Sequence, residues 1–191
     1  MKKTAIVSCY FQHNYGSMLQ AYATQMALDK LGYKNETIDI SGFNGEIKKA
    51  KLLYFAKASL TSDILMSKLG MAKNVLIKKF SKNQYAQLSR VRAEKFDAFS
   101  RKQFRLSPKY NSKAELGNKC RDNYSSVLVG SDQLWLPGNI AADYYTLNFV
   151  PEIVNSIAYA TSFGQSSLPK DSAKKAEVFL KKIKHIGVRE E

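Results

Sequence analysis

Asp132 stands in the run Gly130-Ser131-Asp132-Gln133-Leu134-Trp135, directly after the apolar segment Ser126-Val127-Leu128-Val129. A carboxylate between Ser131 and Gln133 at a strand end could act as a general base or orient a hydroxyl acceptor. Capping of the following turn is the plainer role of such an aspartate. A second group is Asn14-Tyr15-Gly16-Ser17. Glycine there lets the backbone approach a ligand, and the free amides of a helix start favour an anion such as phosphate. The spacing is neither a dinucleotide fingerprint nor a P-loop, and a strand-to-helix turn needing Gly and a cap explains it equally. A third turn, Ser162-Phe163-Gly164-Gln165, has small residues that permit close approach. Arg189 and Glu190 form a fourth group that could bind phosphate or hydroxyls, or simply pair with each other. His13 is the one histidine beside these turns, a surface residue or an acid–base group.

These residues follow segments that read as strands. Residues 4–10 are apolar and β-branched, which marks a buried strand. From Ser17, taken as N-cap, the residues Met18, Leu19, Tyr22, Met26 and Leu31 recur at helical spacing up to a C-terminal Gly32. A second strand covers 35–40, completing a parallel crossover. Residues 46–105 hold no proline and carry helical periodicity at Leu65, Leu69, Ala72, Leu76 and Phe80, then at Leu88, Val91, Phe96 and Phe99. They read as an insertion of two or three basic helices ended by Ser107-Pro108. Strands at 126–129, 157–160 and 183–188, with a Lys-rich helix at 172–182, complete an α/β alternation. The expected fold is one domain over 1–191, with a doubly wound, mostly parallel, Rossmann-like sheet. In such sheets ligands bind outside the carboxyl ends of the strands, where all four turns lie. The final strand ends at that edge with nothing to cover it, so the chain reads as an N-terminal portion of a longer protein.

Bulk properties narrow the classes. The net charge is +14. Nearly all of the excess lies between Lys48 and Arg105, where fifteen Lys or Arg face Asp63, Glu94 and Asp97. Such a patch suits anionic lipid, nucleic acid or phosphorylated substrates, and a solvated helical face is its plainer explanation. No zinc-finger spacing or RNA-reading aromatic pattern supports nucleic acid. Two cysteines, Cys9 and Cys120, and two histidines give no metal site, and a cytoplasmic chain argues against a disulfide. No apolar run is long enough for a membrane span or a signal sequence.

Taken together, Asn14-Tyr-Gly-Ser-Met-Leu-Gln-Ala-Tyr-Ala23, Val129-Gly-Ser-Asp-Gln-Leu-Trp135, Ala158-Tyr-Ala-Thr-Ser-Phe-Gly164 and Val188-Arg-Glu-Glu191 closely resemble the polysaccharide pyruvyl transferase family. Phe96, Phe99, Leu106 and Ser107 fit its linking segment. The resemblance implies the N-terminal lobe of a two-domain enzyme shaped like a type-B glycosyltransferase, with the C-terminal lobe absent and little activity alone. It further implies pyruvyl transfer from phosphoenolpyruvate, a donor substrate and not a cofactor, onto a pair of sugar hydroxyls as a ketal. The acceptor would be a nucleotide-, lipid- or polymer-linked sugar for capsule, exopolysaccharide or cell wall. Asp132 and His13 are then the catalytic candidates. Asn14, Tyr15, Gly16, Ser17, Gly130, Ser131, Gln133, Ser162, Gly164, Arg189 and Glu190 are the substrate-binding ones. A cytoplasmic enzyme that docks on the inner membrane face through its basic helices fits this setting. The alternatives are a lobe of a nucleotide-sugar glycosyltransferase and a non-catalytic anion- or sugar-binding remnant.

Overall fold

The structure, a computed structural model, describes residues 2–59 and 84–188. The expected helical repeat from Leu65 to Phe80, and Arg189 with Glu190 and Glu191, lie outside the described residues.

Five strands, β1 (Lys3–Val7), β2 (Asn35–Thr37), β3 (Tyr124–Asp132), β4 (Asn155–Thr161) and β5 (His185–Gly187), form one all-parallel sheet in the order β2-β1-β3-β4-β5. Side chains alternate between its faces. Ala5, Val7, Val127 and Val129 point to one face, where Leu116 and Cys120 of α4 (Lys113–Asn123) and Phe179 of α6 (Lys170–Lys182) cover them. Ile6 and Leu128 point to the other, against Leu28 of α1 (Tyr15–Lys30). Helices therefore cover both faces, and the chain order reverses between β1 and β3. In doubly wound sheets such a reversal sets the ligand crevice beyond the carboxyl ends of those two strands.

Several elements differ from expectation. α1 begins three residues early, capped by Asn14, whose Oδ1 accepts from the Ser17 amide at 3.2 Å. Its inward face is Ser17, Met18, Ala21, Gln25 and Leu28, while Leu19, Met26 and Leu31 are exposed. Polar Gln25 is buried because its amide is used at both ends. Its Nε2 donates to the Gln103 carbonyl at 2.8 Å, and its Oε1 accepts from the Arg105 amide at 3.0 Å. Past Thr37, the Ile38 amide still donates to Ile6 O at 2.9 Å, and side chains take the two amides after it. Ser107 Oγ accepts from Asp39 N at 3.0 Å, and Tyr10 Oη from Ile40 N at 3.4 Å.

Helix α2 (Asn44–Ser59) and helix α3 (Gln84–Gln103) fall within the basic segment. Phe96 and Phe99 of α3 pack with Phe104, Met18 and Ala21, whereas Leu88 and Val91 face solvent. Beyond α3 the chain runs beside β2, with Thr37 N donating to Arg105 O at 2.7 Å and Ser107 N to Thr37 O at 2.9 Å. That strip shields the sheet edge. Helices α4 and the short α5 (Pro137–Ala142) have no counterpart in the sequence reading. Among the described residues no helix is long and apolar enough to cross a membrane.

Candidate functional site

β3 runs three residues past its apolar core and carries Asp132 at its carboxyl end, paired in register with Thr161 of β4. Asp132 has φ +105°, a left-handed backbone that costs a non-glycine residue about 1–3 kcal/mol and persists only where the surroundings fix it. Here they do. Its carbonyl accepts from Leu134 N at 2.7 Å and from Ser162 N at 3.1 Å. Its Oδ1 accepts from Gln133 N at 2.8 Å, and its Oδ2 from Ser17 Oγ at 3.1 Å. The carboxylate thus caps its own turn and also reaches across to α1. A carboxylate has about four acceptor sites, so each oxygen keeps one for a ligand. The side chain is half-buried.

The turn after β4 locks onto the same point. Gly164, at φ +66°, lies so close that an added Cβ would sit 2.9 Å from Gln133 Cδ. Gly130, at φ +147°, has a still tighter neighbour, with a Cβ falling 2.0 Å from the Tyr159 carbonyl oxygen. Trp135 N donates to Ser162 O at 3.1 Å, and its buried indole packs against Phe163 and Phe179 with ring centres 5.4 Å away. The Trp135 Nε1–H donates to Tyr145 O at 3.0 Å.

The third turn contributes through α1. Ser17 is buried and bound to Asp132, while Asn14, Tyr15 and Gly16 are exposed at the helix start. The Tyr15 and Gly16 amides have no partner within the helix. Three of the four turns named from sequence therefore meet at Asp132. His13 goes elsewhere. Its Nε2 lies 2.8 Å from Asp97 Oδ1, and its ring stacks on Phe96 at 5.7 Å, both on α3.

Beneath the crevice lie groups that composition did not single out. Cys9, just past β1, is buried with its Sγ 3.2 Å from Tyr145 Oη. Burial raises its thiol pKa, the Asp132 carboxylate adds to this, and the Tyr145 contact and the Lys51 ammonium oppose it. Lys51 sits on the inward stripe of α2 with Ile47, Ala50 and Tyr54, and burial lowers its pKa while Cys9 opposes that. The helical spacing from Phe43 and Ile47 was the available signal for Lys51, hidden because it was read as one cation among fifteen. Ser8 Oγ, directly after β1, is buried without a hydrogen-bond partner, a group that costs about 1–3 kcal/mol unless a ligand satisfies it. Among the described residues no group of three or more His, Cys, Asp or Glu side chains could hold a metal ion.

A carboxylate fixed by a hydroxyl, exposed helix-start amides beside it and a partly buried ammonium nearby make a site suited to a hydroxyl nucleophile and an anionic partner. A protein-family model described as polysaccharide pyruvyl transferase matches residues 14–191. Comparison with curated proteins and with solved structures gave no match.

Proposed function

Since the chain belongs to the polysaccharide pyruvyl transferase family, we propose that it forms the acceptor wall of a pyruvyl-transfer site, with Asp132 as the base that takes the acceptor proton. One observation carries the reading: the bond from Ser17 Oγ to Asp132 Oδ2 joins the helix start to the β3 carboxylate. Ser17 holds the carboxylate in place, and the second acceptor site on each oxygen is left for a sugar hydroxyl.

The donor in this reading is phosphoenolpyruvate. An acceptor hydroxyl adds to the carbon that bears the phosphate ester as Asp132 removes its proton, and a proton is delivered to the methylene carbon. The C–O bond to phosphate then breaks, and a second hydroxyl of the same sugar adds to that carbon, closing the ketal. Two hydroxyl protons leave the sugar and one proton joins the carbon, so the other departs with phosphate. The Tyr15 and Gly16 amides and Lys51 offset negative charge on the donor or on an acceptor diphosphate. The remaining cationic cradle is assigned to a second lobe facing this one, as in type-B glycosyltransferases, and this lobe alone turns over little. A cytoplasmic place fits a phosphoenolpyruvate enzyme, as does peripheral contact with anionic membrane.

The test is phosphate release from phosphoenolpyruvate by protein carrying both lobes, with and without oligosaccharide acceptors. Release that requires an acceptor, with a ketal in the product by NMR, is expected. Sugar transfer from a nucleotide-sugar donor instead would replace this reading with a glycosyltransferase.

A further inference from the structure

Between α1 and α3, outside the Asp132 crevice, runs an open groove of about 290 Å³. Met18, Leu19, Phe96 and Phe99 form its floor and walls, and none of them has a group suited to reading a base edge or a sugar hydroxyl. Tyr15 closes one end, 67% exposed, with its ring 4.8 Å from that of Phe96. The rim is cationic. The Arg92 guanidinium lies over both rings, 5.8 Å from the centre of Tyr15 and 5.4 Å from that of Phe96, and Lys95 stands beside it. One Arg92 nitrogen donates to the His13 carbonyl at 3.3 Å, which fixes the guanidinium and leaves further donors. Of the neighbouring acids, Asp97 is occupied by His13, and Glu94 is exposed on the same helix.

We propose that this groove binds the chain of an anionic amphiphile, an isoprenoid or long alkyl phosphate, with its phosphate at Arg92 and Lys95. The charge and the lining decide the class together. An apolar floor rewards burial of hydrocarbon at roughly 25 cal/mol per Å². A nucleotide or polymer would leave its polar groups unpaired there, at a cost. Tyr15 belongs both to the groove and to the first turn of α1, and Ser17 in that turn donates to Asp132. A phosphate at the rim therefore lies across the first turn of α1 from Asp132, and a sugar linked to it would have to extend over that turn to meet the carboxylate, so a lipid-linked sugar is the acceptor class this groove would serve. That last link rests on the transferase reading, whereas the groove's ligand does not.

Calorimetric titration of the full chain with farnesyl phosphate, below its micelle concentration, separates the two. Saturable one-to-one binding is expected, weakened at least tenfold in Leu19→Glu and in Arg92→Glu and unchanged in Ile153→Glu. Leu19 and Ile153 are both exposed, so these changes leave the core intact. Farnesol and inorganic phosphate should each bind at least tenfold more weakly. Binding unaffected by Leu19→Glu overturns the proposal, as does equal loss in Ile153→Glu or equal affinity for inorganic phosphate. No turnover is measured, so an inactive enzyme that still binds refutes only the transferase reading.

Discussion

Replacing Gly130 by alanine probes the frame that holds Asp132. An added Cβ would lie 2.0 Å from the Tyr159 carbonyl oxygen, and that oxygen is backbone in the neighbouring strand, so it cannot swing aside. An ordinary carbon–oxygen contact is about 3.3 Å, so β3 and β4 must part by more than 1 Å or the chain must leave its register. Overpacking of that kind costs about 1–3 kcal/mol, and an L side chain at φ +147° adds about 1–2 kcal/mol. A loss of about 2–5 kcal/mol is a large part of a typical stability. At about 2–4 °C per kcal/mol for a domain of this size, the melting temperature should fall by roughly 4–20 °C. Differential scanning calorimetry reads this, with Gly45→Ala as control, since a Cβ there meets nothing within 4 Å. A Gly130→Ala protein melting within about 2 °C of the parent, on that same scale, would refute the close β3–β4 approach.

Other outcomes follow from the same contacts. Trp135→Ala empties a site between Phe163 and Phe179 and should cost about 3–5 kcal/mol in urea unfolding. A loss below about 1 kcal/mol would mean that the β4 turn is not pinned there. Burial raises Cys9 and holds Cys120 up at about 11, so Ellman's reagent at pH 8 should modify both slowly until denaturant is added. Prompt reaction of both thiols in the folded protein would contradict their burial. Raised thiol and Tyr10, Tyr124 and Tyr145 values mean that the folded chain holds protons which the unfolded chain releases above the ordinary 9.0 and 10.0. Stability from these groups is complete below pH 9 and drains as pH rises, with the lowered Lys51 acting in the opposite direction. The urea midpoint should be lower at pH 10.5 than at pH 8, and an unchanged midpoint would be inconsistent with those buried groups.

Strand positions were legible because buried parallel strands are written as short β-branched runs, and Ile6, Val127 and Val129 sit where those runs put them. Three turns converged as topology required. The inward face of α1 was not legible, because apolar Leu19 and Met26 lie outside while Gln25 is inside, and only tertiary partners on Gln103 and Arg105 make that burial tolerable. A signal for α4 did exist: Ser112 is followed by Glu115, and Ser112 Oγ accepts from the Glu115 amide at 3.0 Å. His13 looked like a site residue from its place in the chain. Its partner Asp97 lies 84 residues away, a pairing no local pattern reveals.

Asp132→Asn is the most direct measurement of the role given to that carboxylate. Asparagine keeps an acceptor for the Gln133 amide and nearly the same shape, so the melting temperature should hold while proton removal is lost. In the two-lobed enzyme proposed above, kcat for phosphate release should fall by about 10²–10⁴-fold with little change in KM. A folded Asp132→Asn enzyme that retains the parent kcat would show that Asp132 only caps its turn.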